Sequence, residues 1–284
     1  MSVERSLRRF EPPARLRDVV EHAWVAERGV GAPASSAREV LLPDGCGQLL
    51  IVAGTPAVVS DPLTGDRYDA DSSVRGPALA VRVRETTGPG VALGLRLTPV
   101  GLARLWAPRP APRGLVPAAA RLGADAVTAV VDALNSQDVE AAVLNAWVAV
   151  DRVPQHDIAD ADRLAQALAV AQSVRGVVRS VDLAHEVGVP LGQLHRWCVQ
   201  LLGVDPGRWL SAVRFAAFVR EAVGPGPVRP DRMVAALRWY LQAGYPPRET
   251  ERFTGLSAAD LRRLADRLEQ GSSMREHPVQ DVLV

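Results

Sequence analysis

The apolar positions between Val181 and Cys198 follow the spacing of two short helices separated by a turn. Gly188 interrupts the first helical pattern where a tight turn needs a residue that adopts positive φ. Pro190 suits the first turn of the second helix, where its missing N–H has no intrahelical partner. The apolar residues expected to face inward are Leu183, Ala184, Val187, Leu194, Cys198 and Leu201. The pattern predicts a helix-turn-helix, with an αα-hairpin of an ordinary helical domain as the alternative.

The same pattern recurs sixty-seven residues later, from Arg248 to Ala265. Gly255 then corresponds to Gly188, and Leu261 corresponds to Leu194. Ser257 and Asp260 predict a capping box at the start of the second helix of this unit. Two such units in tandem favour DNA binding over an isolated hairpin.

The outer face of the second helix in each unit carries the candidate DNA-contacting residues, because a recognition helix presents its N-terminal half to the base edges. Arg196 is the strongest candidate, since its guanidinium matches the O6 and N7 acceptors of guanine. Gln193 lies nearer the helix interface and is a candidate for orienting its neighbours. The full set is Leu191, Gly192, Gln193, His195 and Arg196 in the first unit and Ala259, Arg262 and Arg263 in the second.

A solvated surface is the alternative interpretation of several of these side chains. It applies to His195 and, in the second unit, to Arg262 and Arg263. The two arginines are surrounded by the acidic residues Asp260, Asp266 and Glu269.

From about Asp160 to Glu269 the chain resembles the DNA-binding domain of AraC/XylS-type transcription regulators, in which two helix-turn-helix units are joined by a long helix. The run from Gly203 to Pro206, followed by Trp209-Leu210 and Arg214, is similar to the family's Gly-x-Ser-Pro…Tyr-Leu…Arg pattern. It predicts a joining helix that begins at Asp205-Pro206 and ends near Ala222. Arg214 is expected to pack or pair structurally rather than contact DNA.

The sequence departs from the family pattern mainly in the second unit. Polar residues stand at positions that the family usually fills with small or apolar ones, and a Gly-Pro run interrupts the preceding connection. These departures are Thr250, Glu251, Thr254 and Gly224 to Pro227. They predict a unit that still folds but reads DNA less well.

Short apolar runs separated by Gly, Pro and Asp occupy residues 1–115, a pattern typical of a β-barrel or sandwich. This half is similar to the N-terminal domain found before AraC-type units. The matching pieces are Pro12-Pro13 with Trp24, the turn from Leu42 to Gly45, and Leu93 to Leu97 leading to Pro99. The resemblance implies a cupin-like small β-barrel that binds a small-molecule or protein effector, whose binding residues the sequence does not identify.

The fold class predicted is α+β, with four successive regions. Residues 1–115 form the β-rich domain, which ends in a Pro-rich boundary. Residues 116–156 form a helical connector, which in the family carries dimer contacts and whose alternative role is to pack on the barrel. Residues 157–270 form the tandem helix-turn-helix domain, and residues 271–284 form a loose tail.

Charge and cysteine content add little to this picture. The 284 residues carry a net charge of +1, and residues 173–270 hold fourteen arginines against ten acidic residues. This excess is weaker than that of a typical nucleic-acid-binding domain. Two cysteines in different regions exclude a disulfide framework and a zinc site. Cys198 is expected in the helix-turn-helix core, and Cys46 is either a small buried residue or a reactive thiol.

The sequence predicts neither an enzyme nor a cofactor. No histidine cluster has metal-ligand spacing, and no nucleotide-binding or nucleophile motif occurs. The N-terminus lacks a signal-peptide pattern, and no apolar run is long enough to span a membrane, which predicts a cytoplasmic protein.

The predicted function is that of a sequence-specific transcription regulator that binds double-stranded DNA, as a monomer or a homodimer. One alternative is a protein-interaction module that kept the fold with weak or no DNA binding. Another is a small-molecule-binding protein or enzyme built on the barrel.

Overall fold

The computed structural model describes residues 7–28, 37–86, 88–106 and 115–273. The described strands are β1 (Leu7–Phe10), β2 (Val20–Arg28), β3 (Ala37–Leu41), β4 (Gln48–Gly54), β5 (Val58–Ser60), β6 (Arg67–Asp69), β7 (Ser73–Arg75), β8 (Arg82–Thr86), β9 (Gly90–Leu97) and β10 (Leu115–Pro117). The described helices are α1 (Gly101–Trp106), α2 (Ala118–Leu122), α3 (Ala124–Asn135), α4 (Val139–Asp151), α5 (Ala161–Ser173), α6 (Ser180–Glu186), α7 (Leu191–Trp197), α8 (Pro206–Val223), α9 (Pro230–Gln242), α10 (Pro247–Thr254) and α11 (Ala258–Ser273). The α+β class is therefore confirmed.

Two predicted features fall wholly or partly outside the described residues. Most of the Pro-rich boundary, residues 107–114, lies outside them. The same holds for residues 274–284 of the predicted tail. The first three residues of that tail are helical, because α11 continues to Ser273.

The strands form two antiparallel sheets, with strand orders β1-β2-β9-β4-β7-β10 and β3-β8-β5-β6. The described strands do not join into one closed cylinder, so the β-rich half consists of two open sheets rather than a closed barrel. One face of the smaller sheet contacts the other half of the chain. Val40 of β3 and Val83 of β8 pack against the C-terminal helices, so this face of the small sheet is already covered.

The predicted helical connector packs on the larger sheet. Buried side chains of β4 and β9, such as Ile51 and Leu93, share one apolar core with Ala146, Trp147 and Val150 of α4. This is the packing role that the sequence left open. Dimer contacts through these helices stay a prediction.

The β-rich half also contributes to the cores of both helix-turn-helix units. Val100 lies in the core of the first unit, and Val40, Val81 and Val83 lie in the core of the second. The indole N–H of Trp209 in α8 donates a buried hydrogen bond of 3.0 Å to the carbonyl of Gly45. Each unit is thus completed by residues far away in the sequence.

In the part of the chain that the structure describes, no helix is both long enough and apolar enough to cross a bilayer.

Candidate nucleic-acid interface

The first helix-turn-helix unit consists of α6, a turn and α7. Both helices pack against α5. Gly188 in the turn has a φ of 68°, as the sequence predicted. Of the residues predicted to face inward, Leu183, Ala184, Leu194 and Cys198 are buried, whereas Val187 and Leu201 are only partly buried.

Trp197 is a core residue of this unit that the sequence interpretation missed. Its side chain is 4% exposed, and its indole N–H donates to the Asp160 carboxylate over 3.0 Å. Its place three residues after Leu194 puts it on the same inner face of the helix. This spacing was the signal that could have identified it.

The outer face of α7 presents the predicted candidates to solvent. Leu191, Gly192, His195 and Arg196 are all exposed, and Gln193 is half-buried. The guanidinium of Arg196 donates to the amide oxygen of Gln193. Gln193 therefore holds the arginine side chain at the exposed surface of the helix.

The second unit consists of α10, a turn at Gly255 and α11, packed against α9. Gly255 has a φ of 72°. The Ser257 hydroxyl accepts from the N–H of Asp260 at 3.1 Å and donates to its carboxylate at 2.7 Å. The hydroxyl bond to the backbone N–H confirms the predicted cap of α11.

One of the polar departures in this unit, Thr254, is accommodated by hydrogen bonds. Thr250 and Thr254 are 3% and 0% exposed. The Thr254 hydroxyl lies 2.7 Å from the carbonyl of Thr250 and accepts from the N–H of Leu256 at 3.2 Å. Because the buried hydroxyl is satisfied, threonine stabilises the turn rather than disrupting it.

The outer face of α11 carries Ala259, Arg262 and Arg263, all exposed. Two acidic residues beside them are bound by Arg238 of α9, at 2.6 Å from Asp266 and 2.9 Å from Glu269. These two ion pairs lower the negative potential around the candidate arginines. Arg263 also lies 3.5 Å from the Asp260 carboxylate.

The joining helix α8 begins and ends almost where the sequence predicted. Asp205 is its N-cap, and the carboxylate accepts from the N–H of Arg208 at 2.9 Å. Arg214 donates to the carbonyl of Arg252 in α10 over 3.2 Å. Arg214 therefore has the structural role expected of it.

Both cysteines are buried and unsuited to thiol chemistry. Burial raises the pKa of Cys46 to about 12 and that of Cys198 to about 12. Both side chains therefore stay protonated at neutral pH, and Cys46 is a small buried residue rather than a reactive thiol. In the part of the chain that the structure describes, no group of histidine, cysteine and acidic residues is arranged to hold a metal ion.

The arrangement of these elements defines the class of fold. A β-rich half is followed by a helical pair and by two helix-turn-helix units joined by one long helix. This is the element order that the resemblance to AraC/XylS-type regulators implied, except that the β-rich half is two open sheets rather than a closed barrel.

A known protein family matches the β-rich half of the chain. Residues 8–112 match a family described as a domain of unknown function, DUF6597. The curated proteins contain no match.

Similar solved structures cover most of the chain at low identity. ToxT from Vibrio cholerae O395 is 9% identical, with a TM-score of 0.39, covering 92% of this chain and 97% of that chain. Wild-type ToxT from Vibrio cholerae strain SCE256, with an unsaturated fatty acid bound, is 9% identical, with a TM-score of 0.36 and coverages of 93% and 90%. The AraC-like transcriptional activator CuxR is 12% identical, with a TM-score of 0.24 and coverages of 90% and 91%. These values are too low to assign a function.

Proposed function

We propose that this protein is a transcription regulator that binds double-stranded DNA sequence-specifically through α7 and α11. The observation that carries the proposal is the pair of helix-turn-helix units, each exposing arginine on the outer face of its second helix. A single 18-residue helix joins the two units. Compensation of Asp266 and Glu269 by Arg238 favours DNA contact over a merely solvated arginine face.

The exposed side chains of α7 fit the chemistry of the major groove. Arg196 is suited to a bidentate contact with guanine, and one such contact contributes about 1–3 kcal/mol of discrimination. Leu191 is 46% exposed at the first position of α7, where an apolar side chain can contact a thymine methyl group. Gly192 has open space around its Cα, so the backbone there can approach DNA closely.

Two recognition helices on one chain are expected to enter successive major-groove segments about one helical turn apart. A single protomer then covers a long, non-palindromic site. Footprinting of the protein on DNA measures this directly, and protection of only a few base pairs per protomer would contradict the geometry.

The central experiment is binding of the purified protein to its own upstream DNA at two salt concentrations, with nonspecific competitor present. Wild type is compared with Arg196→Ala and with Arg67→Ala, an exposed arginine on β6 in the other half of the chain. We expect specific binding that weakens as salt rises, because phosphate contacts release counterions. Arg196→Ala should lose specificity, and the Arg67→Ala control should behave as wild type.

A protein-interaction module is the second candidate function. Trp239 in α9 and Tyr245 between α9 and α10 are 67% and 47% exposed, and aromatic side chains are enriched at the centres of protein interfaces. The same experiment separates the two functions, because a module of this kind shows no specific, salt-dependent binding to duplex DNA.

We also assign effector or partner binding to the β-rich half, with a cleft between its two sheets as the candidate site. Leu50, Val52 and Ala92 line the cleft together with Arg84 and Thr86. Ala92→Phe fills it, so we expect this variant to abolish regulation of a reporter gene. DNA binding by the purified variant should be unchanged.

A further inference from the structure

Both helix-turn-helix units approach the backbone of α8 unusually closely, and each does so through a glycine. Gly176 lies in the connection between α5 and α6, and a Cβ added there would be 2.8 Å from the carbonyl oxygen of Leu210 and 3.0 Å from the nitrogen of Arg214. A Cβ added at Gly255 would be 2.4 Å from the carbonyl oxygen of Ser211. Approaches under 3.0 Å to fixed backbone atoms cannot be relieved by turning a side chain, so something must shift.

The two contacts fall on the same turn of α8. Leu210 and Ser211 are consecutive residues, which an α-helix separates by about 100° around its axis. The first unit therefore contacts this turn on one side, and the second unit contacts it on another. Arg214, beside Gly176, also donates to the carbonyl of Arg252 in the second unit.

Comparison of the two turn glycines shows that this contact is not a general requirement of the motif. Gly188 and Gly255 occupy equivalent positions and have φ values of 68° and 72°. Nothing lies within 4 Å of a Cβ added at Gly188. Gly188 is needed for its backbone conformation alone, whereas Gly255 serves both conformation and close packing on α8.

We propose that Gly176 and Gly255 are positioning residues that set the distance and angle between α7 and α11, and with them the spacing of the two DNA segments that the protein reads. The DNA part of this inference rests on the proposed function, whereas the geometric part does not. An added Cβ at either glycine displaces one unit relative to α8 and so misplaces its recognition helix in the groove.

The test uses asparagine, because asparagine tolerates positive φ better than other residues with a side chain. Gly255→Asn adds a side chain at the contact with α8, and the matched control Gly188→Asn adds the same side chain at an equivalent turn with open space. Gly176→Asn is the second test variant. If Gly255→Asn does not fold, Gly176→Asn still tests the proposal.

The primary readout is the distance between spin labels on the two recognition helices, measured without DNA by pulsed electron paramagnetic resonance. Labels are attached at Gly192→Cys and Ala259→Cys, two exposed positions. Both native cysteines are buried, Cys46 at 3% and Cys198 at 1% exposure, so we expect them not to take up the label. We expect the Gly188→Asn distribution to match that of the labelled parent and the Gly255→Asn and Gly176→Asn distributions to shift or broaden. Distributions that coincide in all four proteins overturn the proposal.

The second readout is binding to the full operator and to the segment that the first unit protects. We expect Gly255→Asn to lower affinity for the full site at least tenfold while affinity for the single segment changes less than twofold. Gly188→Asn carries the same positive-φ strain without the contact with α8, so we expect it to lower affinity for the full site far less than Gly255→Asn does. Equal losses on both DNAs by Gly255→Asn overturn the spacing role. Absence of specific binding by wild type refutes the proposed function instead, and the label distances still decide the positioning role.

Discussion

The two helix-turn-helix units build the same turn from different chemistry. In the first unit the position before the turn glycine is the half-buried Val187; in the second it is Thr254, which is fully buried and hydrogen-bonded. The turn glycines nevertheless adopt φ values that differ by only a few degrees. A polar residue at an apolar position therefore does not show that a motif has degenerated, because a local backbone partner can satisfy it.

The units also differ in the contacts that the polar side chains on and around their recognition faces make. Arg196 of the first unit is held by Gln193, one turn away on the same helix. In the second unit two acidic neighbours of Arg262 and Arg263, Asp266 and Glu269, are bound by Arg238 on a different helix. The position of the Arg196 side chain is thus fixed by a neighbour on its own helix, whereas the charge around the second face depends on packing between α9 and α11.

The largest expected effect is the loss of stability when a buried leucine is shortened in the core of either unit. Comparing the two losses tests whether the two cores are equivalent. Leu194 and Leu261 occupy matching positions and are 0% exposed. We expect Leu194→Ala and Leu261→Ala each to lower the free energy of unfolding by about 2–5 kcal/mol, because each leaves a cavity. Urea denaturation measures both. Leu191→Ala, at a 46% exposed position of α7, is the control and should change stability by about 0.5 kcal/mol or less.

The buried hydroxyl of the second turn gives the next effect. Thr254→Val keeps the shape of the side chain but removes the partner of the Leu256 N–H, so we expect a loss of about 1–3 kcal/mol in unfolding free energy. Thr254→Ser retains the hydroxyl and should cost about 0.8 kcal/mol for the lost methyl group. If urea denaturation shows the serine variant to be the less stable of the two, the hydrogen bond does not stabilise the turn.

Removing Arg238 should affect DNA binding more than stability. The ion pairs with Asp266 and Glu269 are exposed, so Arg238→Ala is expected to change stability little. Asp266 and Glu269 then lose the ion pairs with Arg238 beside the second recognition face, and affinity for the full site should fall several-fold, most clearly at low salt. Arg232→Ala, an exposed arginine on the same helix, is the matched control. Equal losses from both variants would indicate a simple charge effect.

The last prediction concerns the thiols and applies only at alkaline pH. The ordinary pKa of a cysteine is 9.0 and those of buried Cys46 and Cys198 are about 12, so between these values the unfolded chain loses protons that the folded chain keeps. Stability should therefore fall as pH rises from about 9 towards 12.

A thiol reagent at pH 8 should react with neither cysteine until urea unfolds the protein. Rapid reaction of Cys198 in native protein would show that the first unit opens readily.

The sequence predicted well wherever a structure depends on neighbouring residues. The start of α8 follows from Asp205 and Pro206, and the cap of α11 follows from Ser257 and the N–H of Asp260, because both involve contacts within four residues. The role of Arg214 came from resemblance to a family pattern. Trp197 was missed although its spacing from Leu194 indicated the inner face.

The sequence could not reveal contacts between residues that are far apart in the chain. Val40 and Val83 of the smaller sheet pack in the core of the second unit, and no local pattern distinguishes that surface from the interior of a barrel. The compensation of Asp266 by Arg238 likewise requires that α9 and α11 pack side by side.

The amino-acid sequence by itself determined the two helix-turn-helix units, their outer faces and the helix between them, because periodicity, capping and turn residues act over a few residues. Only the tertiary structure decided how the units sit on that helix. Gly188 and Gly255 look alike in sequence, but one faces open space and the other lies against the backbone of Ser211. That difference arises from the docking of distant segments, which no local pattern encodes.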